Sequence, residues 1–397
     1  MKNTLRALWF LTVTSALGAN LAWAASEESE SALGVARVSL TNGDVTTLRG
    51  DSGDWTEAQV NMPLVEGDRL ATGSASRAEM QLDFANLLRL NESTEVHLVE
   101  LANRRFRIQL ARGLVSYSEL RGGEADVDVE TPQVAVRPLE RGNYRIEVTA
   151  DGHTAIAVIR GKAEVSSVAG TETLSKGRTM YVRGDRDAPE FRTAKVESKD
   201  DWDRWNDRRD KQLEKSKSRR YVSRSIYGAE DLDGHGRWEY VSGYGRCWFP
   251  STSPGWAPYR HGRWSWLDYY GWTWVGYEPW AWAPYHYGRW FHHRHHGWGW
   301  YPGYRYARHY WRPALVSFFG YNSHRGFSFG VGFGFGNIGW VPLAPYERYN
   351  PWYGRRYGGY GYGRRGGRHG GQGRRFQGRA KGTRCHQGRR RRHPSSD

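Results

Sequence analysis

The segment Arg263-Trp-Ser-Trp-Leu267 is followed by Asp268-Tyr-Tyr-Gly271 and then by Trp272-Thr-Trp-Val-Gly-Tyr277. Large aromatic side chains alternate with other residues on both sides of a short turn, which is the pattern of a β-hairpin. The pattern recurs every 26 residues, so it predicts tandem hairpins that pack against one another. The periodic tryptophans, predicted to be structural, are Trp238, Trp248, Trp264, Trp274, Trp290 and Trp300.

Most of these aromatic residues are predicted to form a core. Residues 236–311 contain thirteen Trp and twelve Tyr but only three Val or Leu. A β region of this size needs an apolar interior, and large aromatic side chains are the main apolar residues present. Gly236, Gly262 and Gly288 keep the same 26-residue step, each two residues before the first Trp of its unit. A minority of the aromatic rings is left over for a surface that could stack on sugars.

Residues 1–24 have the features of a secretory signal peptide. Lys2 and Arg6 precede an uncharged apolar stretch over residues 7–21, and Ala22-Trp-Ala24 is a small-x-small cleavage site. The stretch is shorter than the roughly 20 apolar residues that span a bilayer. We therefore expect cleavage near Ala24, a periplasmic or secreted protein, and no transmembrane segment in the mature chain.

Residues 34–192 are predicted to form an all-β domain. Turn signals such as Asn42-Gly-Asp44 and Arg112-Gly113 recur about every ten residues between alternating apolar and polar stretches. This spacing suits a sandwich, a barrel or a β-solenoid and does not choose among them. The predicted strands include Ala78–Leu82, Leu87–Leu90, Arg105–Leu110, Asn143–Val148 and Ala155–Ile159.

Several motifs in this domain occur in a recognisable order. They are Pro63-Leu-Val-Glu-Gly-Asp-Arg69, Gly73-Ser-Ala-Ser-Arg-Ala-Glu79, Leu88-Arg-Leu-Asn-Glu-Ser-Thr-Glu95, Glu130-Thr-Pro-Gln133, Gly142-Asn-Tyr-Arg-Ile146 and Arg160-Gly-Lys-Ala-Glu164. The set resembles the FecR domain family, known from transmembrane regulators that relay an outer-membrane transporter signal to a sigma factor. In this chain we expect a cleavable signal where those regulators have a cytoplasmic segment and a spanning helix. The resemblance therefore implies a β-rich extracytoplasmic interaction domain.

Two further regions precede the C-terminus. Residues 197–220 are predicted to be a charged helical linker docked by Trp202 and Trp205, with acids early and bases late to suit the helix dipole. Residues 221–352 form the predicted repeat domain. Its Trp-Ala-Pro-Tyr and Gly-Arg-Trp phrases resemble an uncharacterised Trp- and Tyr-rich domain that follows FecR in secreted Gram-negative proteins. That resemblance implies no activity.

Residues 353–397 are rich in Gly, Arg and Tyr, and this composition predicts a disordered tail. From Arg348 to Ser396 there are fifteen Lys and Arg and no acidic residue, so most of the net charge of +16 belongs to the tail. The predicted partners are envelope polyanions: lipopolysaccharide, anionic lipid surfaces or extracellular DNA. Because the chain is exported, no cytoplasmic nucleic acid is expected. The predicted polyanion-binding residues are Arg355, Arg356, Arg364, Arg365, Arg374, Arg375, Arg389, Arg390, Arg391 and Arg392.

One histidine cluster is a weak candidate for metal binding. Imidazoles are common ligands of Zn²⁺ and Cu²⁺, and four of them occur within five residues. Aligned on the 26-residue period, the cluster falls at a hairpin turn, where exposed polar residues of any kind are tolerated. No cofactor is assigned. The candidate ligands are His292, His293, His295 and His296.

The sequence indicates an interaction protein that is not an enzyme. It contains no nucleophile elbow, phosphate loop or dinucleotide fingerprint. The preferred prediction is an exported envelope scaffold that binds envelope components or polyanions through its tail and β domains. A carbohydrate- or peptidoglycan-binding module and a FecR-type regulatory sensor remain alternatives. Cys247 and Cys385 are too few for a disulfide framework, and their pairing stays open.

Overall fold

The computed structural model describes residues 34–50, 53–102, 104–322, 326–329 and 337–351. The predicted signal peptide and the predicted cationic tail lie outside the described residues. The fold is mainly β, with 48% strand and 9% helix, which confirms the predicted class. The described residues all belong to one compact unit.

Seventeen strands occupy the region predicted as the first β domain, whose exact boundaries stay a prediction. They are β1 Ala36–Asn42, β2 Val45–Leu48, β3 Trp55–Glu57, β4 Pro63–Leu64, β5 Arg69–Thr72, β6 Arg77–Gln81, β7 Asn86–Leu90, β8 Glu95–Ala102, β9 Arg105–Glu119, β10 Asp126–Glu130, β11 Ala135–Pro138, β12 Asn143–Val148, β13 Thr154–Arg160, β14 Lys162–Ser167, β15 Gly170–Ser175, β16 Arg178–Arg183 and β17 Glu190–Lys195. All five strands that the sequence analysis names are present, four with no more than small shifts at their ends, whereas the strand predicted to end at Leu110 continues to Glu119 as β9.

These strands form two sheets that share β9. The first sheet has the order β4-β1-β6-β7-β9-β12-β13-β16-β17. The second has the order β3-β2-β5-β8-β9-β10-β11-β14-β15. Apolar side chains from both sheets meet in one buried cluster, which includes Val38, Leu70, Leu98 and Ile146. The arrangement is a two-layer sandwich, and it decides among the three architectures that the turn spacing left open.

The prediction of a turn at Arg112-Gly113 is wrong, because β9 runs through it without a break. The first half of β9 pairs with β8 and β10, and the second half pairs with β7 and β12. Gly113 lies at the crossing point with φ +89°, and a Cβ there would come within 2.5 Å of the Cα of Thr94. Glycine is needed because only it allows the bend that carries one strand from sheet to sheet.

The predicted helix is confirmed as α1, Asp201–Glu214. Asp200 caps its first turn and forms a capping box with Asp203. Trp202 is buried and donates from its indole Nε1 to the Ser116 hydroxyl at 2.8 Å, while Trp205 stacks on Trp202 at 5.0 Å. The helix therefore packs on the outer face of the first sheet rather than bridging through solvent.

Three hairpins follow, as the 26-residue period predicts. Their strands are β18 Gly236–Val241 with β19 Gly245–Pro250, β20 Gly262–Leu267 with β21 Gly271–Gly276, and β22 Arg289–His293 with β23 Gly297–Tyr301. Trp248 of β19 pairs with Trp300 of β23, so the first and third hairpins form one four-stranded sheet. The second hairpin forms its own two-stranded sheet. Hairpins that follow each other in the sequence are therefore not hydrogen-bonded to each other in a sheet.

The remaining elements pack around the hairpins. They are the short helix α2 Trp282–His286 and the strands β24 Val316–Asn322, β25 Gly326–Phe329 and β26 Asn337–Pro342. Phe318 of β24 and Trp340 of β26 pack on Trp264 with ring centroids 5.2 and 5.5 Å apart. Within the described ranges, no helix is long and apolar enough to cross a membrane.

Candidate functional site

Each hairpin places two of the periodic tryptophans directly opposite each other. The pairs are Trp238 with Trp248, Trp264 with Trp274, and Trp290 with Trp300. We refer to them as the inner pairs. The second member is fully buried in every hairpin, whereas Trp238 and Trp264 are half-buried. The inner pairs therefore form the core of the repeat region.

The close approach of these indoles explains the periodic glycines. A Cβ on Gly262 would lie 2.6 Å from the indole ring of Trp274 on the opposite strand. Gly236 and Gly288 meet Trp248 and Trp300 in the same way, at 2.7 and 2.6 Å. Any larger residue would clash with the indole and, more closely still, with the backbone carbonyl of the residue that follows that Trp. The same Gly–Trp packing contact therefore occurs in all three hairpins, which explains why the two residues keep the same spacing.

A second pair of facing residues lies two positions closer to the turn, on the same face of each hairpin. We call it the outer pair, and its residues differ among the three hairpins. It is Tyr240 with Arg246 in the first, Trp266 with Trp272 in the second, and His292 with Trp298 in the third. Trp266 and Trp272 remain 49% and 46% exposed, with ring centroids 5.6 Å apart. Beside them, Asp268 and Tyr269 line a cavity of about 200 Å³ together with Glu66 of the sandwich. The outer pairs vary in chemistry, and only Trp298 among them packs against the buried core.

The histidine cluster lies at the turn of the β22–β23 hairpin, as the period predicts. The rings of His293 and His296 stack at 4.7 Å, and His295 lies 5.9 Å from His293. Across the part of the chain that the structure describes, no three His, Cys, Asp or Glu side chains are grouped to hold a metal ion. Metal binding at His292, His293, His295 and His296 stays a prediction. The ten tail arginines predicted to bind polyanions lie outside the described residues.

The outer face of the first sheet carries charged side chains that are buried. Arg37 on β1, Glu79 on β6 and Arg89 on β7 alternate with core residues and expose none of their side-chain surface. Charges are rarely buried unless they are paired, because their desolvation is costly. Their partners come from α1 and from a 3₁₀ turn at Ala229–Leu232.

Helix α1 supplies one half of this network. Glu79 accepts hydrogen bonds from Arg89 Nε at 2.8 Å and from Arg209 Nη2 at 2.9 Å. Arg89 Nη1 contacts Asp210 Oδ1 at 2.8 Å and donates to Asn206 Oδ1 at 3.0 Å. Burial alone would raise the pKa of Glu79, but the charges of Arg89 and Arg209 outweigh it and hold the pKa well below its usual range.

The start of the repeat region supplies the other half. Arg37 donates from Nη1 to Asp231 Oδ2 at 2.5 Å and from Nε to Gln81 Oε1 at 2.7 Å. Gln81 in turn donates to Glu230 Oε1 at 2.8 Å. Nearby, Asn61 Nδ2 donates to the carbonyl of Glu278 at 2.9 Å. These bonds join the sandwich to the repeat region across a buried boundary.

Comparison with known families covers both of these regions. Residues 68–164 match the FecR protein family, and residues 229–347 match a family of unknown function, DUF6600. The chain carries a FecR domain followed by a domain of unknown function. The order of motifs in the sequence predicted this combination. The FecR match supports an extracytoplasmic protein related to envelope signalling.

Comparisons with curated proteins and with solved structures give no information on function. No curated protein matches the chain. Two crystal structures described as candidate anti-sigma factors from Parabacteroides distasonis are similar, at 16% and 17% identity and a TM-score of 0.29. Each match covers 32% of this chain and 60% of the other, so this chain spans only part of those proteins. A similarity this low carries no inference about function.

The residues that join the FecR domain to the repeats were missed by sequence reasoning. Asp231 exposes only 17% of its side chain and pairs with Arg37, although nothing in the local sequence marks it as buried. The available signal was a charged residue in the middle of an apolar strand, as in Val35-Ala-Arg-Val38. That signal alone cannot distinguish a solvated face from a buried ion pair.

Asp231 should make the stability of this FecR-domain protein depend on pH. Burial and the charge of Glu230 raise the pKa of Asp231 from 3.8 to about 6, although Arg37 opposes the shift. Between about pH 4 and pH 6 the folded protein therefore binds more protons than the unfolded chain. The contribution of Asp231 to the free energy of unfolding should fall as pH rises through this window, and Asp231→Asn should make the pH dependence there less steep.

Urea unfolding at pH 4, 5, 6 and 7 measures the difference between wild type and variant. Asp201→Asn is the matched control, because the Asp201 side chain is 99% exposed. If the free energy of unfolding depended on pH equally in wild type and Asp231→Asn, the raised pKa assigned to Asp231 would be contradicted.

Proposed function

We propose that this protein is a non-enzymatic, extracytoplasmic interaction protein that binds a cell-envelope glycan through its folded body and polyanions through its tail. The observation that carries the glycan part is the exposed outer pair Trp266 and Trp272. Exposed tryptophans on a rigid hairpin offer flat apolar faces to the C–H groups of sugar rings. Peptidoglycan is the glycan that an exported envelope protein most directly meets.

The position of this pair favours a binding role over a packing role. Burial of a Trp side chain stabilises a fold by several kcal/mol, on the basis of 150–250 Å² of area at about 25 cal/mol/Å². Trp266 and Trp272 gain only part of that stabilisation, because about half of each ring remains in contact with solvent. The first and third hairpins fold with Tyr240 and His292 in the place of Trp266. A hairpin of this type therefore does not require tryptophan there.

The buried ion network supports a scaffolding role. It holds the sandwich and the repeat region together, so a ligand on the second hairpin is presented at a constant position relative to the FecR domain. Asp268 and Glu66 line the cavity beside Trp266, where Arg49 is neutralised by its ion pair with Asp68. Their negative charge disfavours a polyanion at this place and suits a neutral glycan.

The tail part of the proposal rests on sequence alone. Its arginines, from Arg355 to Arg392, would bind lipopolysaccharide or anionic lipid surfaces through charge that salt screens. A FecR-type regulatory role is the second candidate function, and the FecR match at residues 68–164 favours it. That role would require a protein partner rather than a polymer.

The test is cosedimentation with purified peptidoglycan sacculi, and in parallel a pull-down from envelope fractions, at low and high salt. Protein with and without residues 353–397 and the double variant Trp266→Ala/Trp272→Ala are compared. We expect sacculus binding to survive high salt and tail deletion but to fall at least tenfold in the double variant. Polyanion binding should disappear with the tail or in high salt.

Loss of all binding on tail deletion would refute the glycan part of the proposal. Capture of a single envelope protein, with no sacculus binding, would favour the regulatory role instead.

A further inference from the structure

We propose that the third hairpin contributes to a second binding site, specific for an anionic saccharide such as a sugar phosphate or a carboxylated sugar. The site is a groove between the β22–β23 hairpin and the loop of residues 250–257, which we call the basic groove. The inference extends the proposed function, because it names a different ligand class and a different place on the same folded body.

The basic groove has the size of a small-ligand site. Its volume is about 600 Å³, within the range of roughly 300–1,000 Å³ typical of ligand pockets. The side chains that decide its chemistry are Arg237, Trp256, Arg260, His292, His296 and Trp298. A mono- or disaccharide fits a space of this volume.

The charge of the groove favours an anion. Arg237 and Arg260 supply its positive charge, His292 and His296 add imidazole groups, and none of its lining residues in the described chain is acidic. Guanidinium groups bind phosphate and carboxylate through two parallel hydrogen bonds, which gives both charge and orientation. Arg237 Nη2 lies 3.3 Å from His296 Nδ1, so these two side chains hold each other at the groove wall.

The nearest carboxylates are engaged outside the groove. Glu239 Oε1 lies 3.4 Å from Arg237 Nε, two positions further along the same strand, β18. Glu278 lies behind Trp256 and accepts hydrogen bonds from the Trp256 indole at 3.0 Å and from the Tyr285 hydroxyl at 3.2 Å. Neither carboxylate lines the space that a ligand would occupy.

Two tryptophans supply the saccharide part of the recognition. Trp256 and Trp298 are both half-buried and line the groove. Trp256 is held in place by Trp280 and Trp290, each with a ring centroid 5.6 Å away. Trp298 meets the His292 ring edge-on at 5.5 Å. A fixed aromatic face beside cationic side chains can take the apolar face of a sugar ring while the arginines hold its acidic group.

The contrast with the second hairpin supports the choice of ligand. Trp266 of the outer pair there shares a cavity with Asp268 and Glu66, whereas Trp298 shares the groove with arginines and histidines. The two surfaces therefore differ in the sign of their charge, although indole rings line both of them. One is suited to a neutral glycan and the other to an acidic one.

The test measures binding of small soluble probes to the full chain by isothermal titration calorimetry. The probes are N-acetylglucosamine 1-phosphate, N-acetylmuramic acid, neutral N-acetylglucosamine and inorganic phosphate. We expect saturable binding of at least one acidic sugar, at least tenfold tighter than that of the neutral sugar or of phosphate. The phosphorylated and carboxylated probes distinguish the two sources of the acidic group.

Variants of the full chain locate the site. Trp298→Ala and Arg260→Ala should each weaken binding of the acidic sugar at least tenfold, and Trp298→Phe should retain most of it because a ring remains. Trp272→Ala on the second hairpin and replacement of Arg389, Arg390, Arg391 and Arg392 by serine should leave it unchanged. Near-UV circular dichroism confirms that each variant is folded.

Two outcomes would overturn the inference. One is equal binding of the neutral and acidic sugars, or none of either. The other is loss of acidic-sugar binding in the tail variant with no effect of Trp298→Ala. Sacculus binding that depends on Trp266 and Trp272 is scored separately, so the proposed function and this inference can fail independently.

Discussion

Replacing Glu79 with alanine is expected to lower the free energy of unfolding by about 3–5 kcal/mol, the cost of breaking a buried ion pair from one side. Glu79 neutralises both Arg89 and Arg209 and also accepts a hydrogen bond from the Ser39 hydroxyl at 2.8 Å. Its removal would leave Arg89 fully buried with less compensating charge and would release Arg209 of α1. Denaturant unfolding followed by tryptophan fluorescence measures the effect.

The matched control for this prediction is Glu124→Ala. Glu124 also pairs with an arginine, Arg104 at 2.7 Å, but both side chains are more than half exposed. Exposed pairs contribute roughly 0–1 kcal/mol, because water screens them and ordering the side chains costs entropy. Similar losses for the two variants would show that the network at Glu79 is not the contact that holds α1 on the sheet.

Acidification should reduce the contribution of Glu79 to the free energy of unfolding. Its pKa is held low in the folded protein, so its stabilising effect is complete above the ordinary glutamate pKa and is lost as the pH falls through the folded value. The difference in stability between wild type and Glu79→Ala should therefore shrink in strong acid. A difference that grew on acidification would contradict the assigned charges.

Replacing Trp274 with alanine is expected to cost about 3–5 kcal/mol, as for other buried aromatic side chains truncated to alanine. Trp274 is only 2% exposed and packs against Trp264 at 5.3 Å and Tyr259 at 5.8 Å, and its ring also covers Gly262. The surrounding rings are held by several other contacts and cannot collapse into the space left behind. A large cavity should therefore remain.

Trp272→Ala is the control for Trp274→Ala, since the two residues lie on the same strand two positions apart. Trp272 is 46% exposed, so only about half of its area is buried and its loss should cost about 2 kcal/mol, clearly less than the loss of Trp274. The same variant should lower binding to sacculi, which separates a structural from a binding tryptophan on one hairpin. A cost for Trp272→Ala equal to that for Trp274→Ala would place both rings in the core.

Much of the architecture could be read from local periodicity. The alternation in Asn143–Val148 predicts a strand, and Tyr144, Ile146 and Val148 are indeed its buried residues. The Gly and Trp period predicts three hairpins and identifies their inner pairs. The acid-to-base gradient over residues 197–220 predicts the helix that begins at Asp201. In the strands, the direction of each side chain follows from the two-residue repeat of the backbone. In the helix, the charge gradient matches the helix dipole.

Local signals were insufficient where distant segments meet. Arg112-Gly113 has the composition of a turn, yet neighbouring strands from both sheets hold it inside β9. The basic groove arises because the 250–257 loop approaches a hairpin about forty residues later in the chain. The sequence identified the histidines of that hairpin but not the arginines and the Trp256 ring that face them.

The sequence by itself determined the elements, their order and the tryptophans that form the inner pairs, because these depend on patterns within a few residues. Only the tertiary structure decided that two sheets share β9, that the first and third hairpins pair, and that Arg37 is buried. Arg37 meets Asp231 across 194 positions of chain. The outer face of a strand is exposed to water unless another segment packs on it. Packing between distant segments, and not the local sequence pattern, decides which faces are covered.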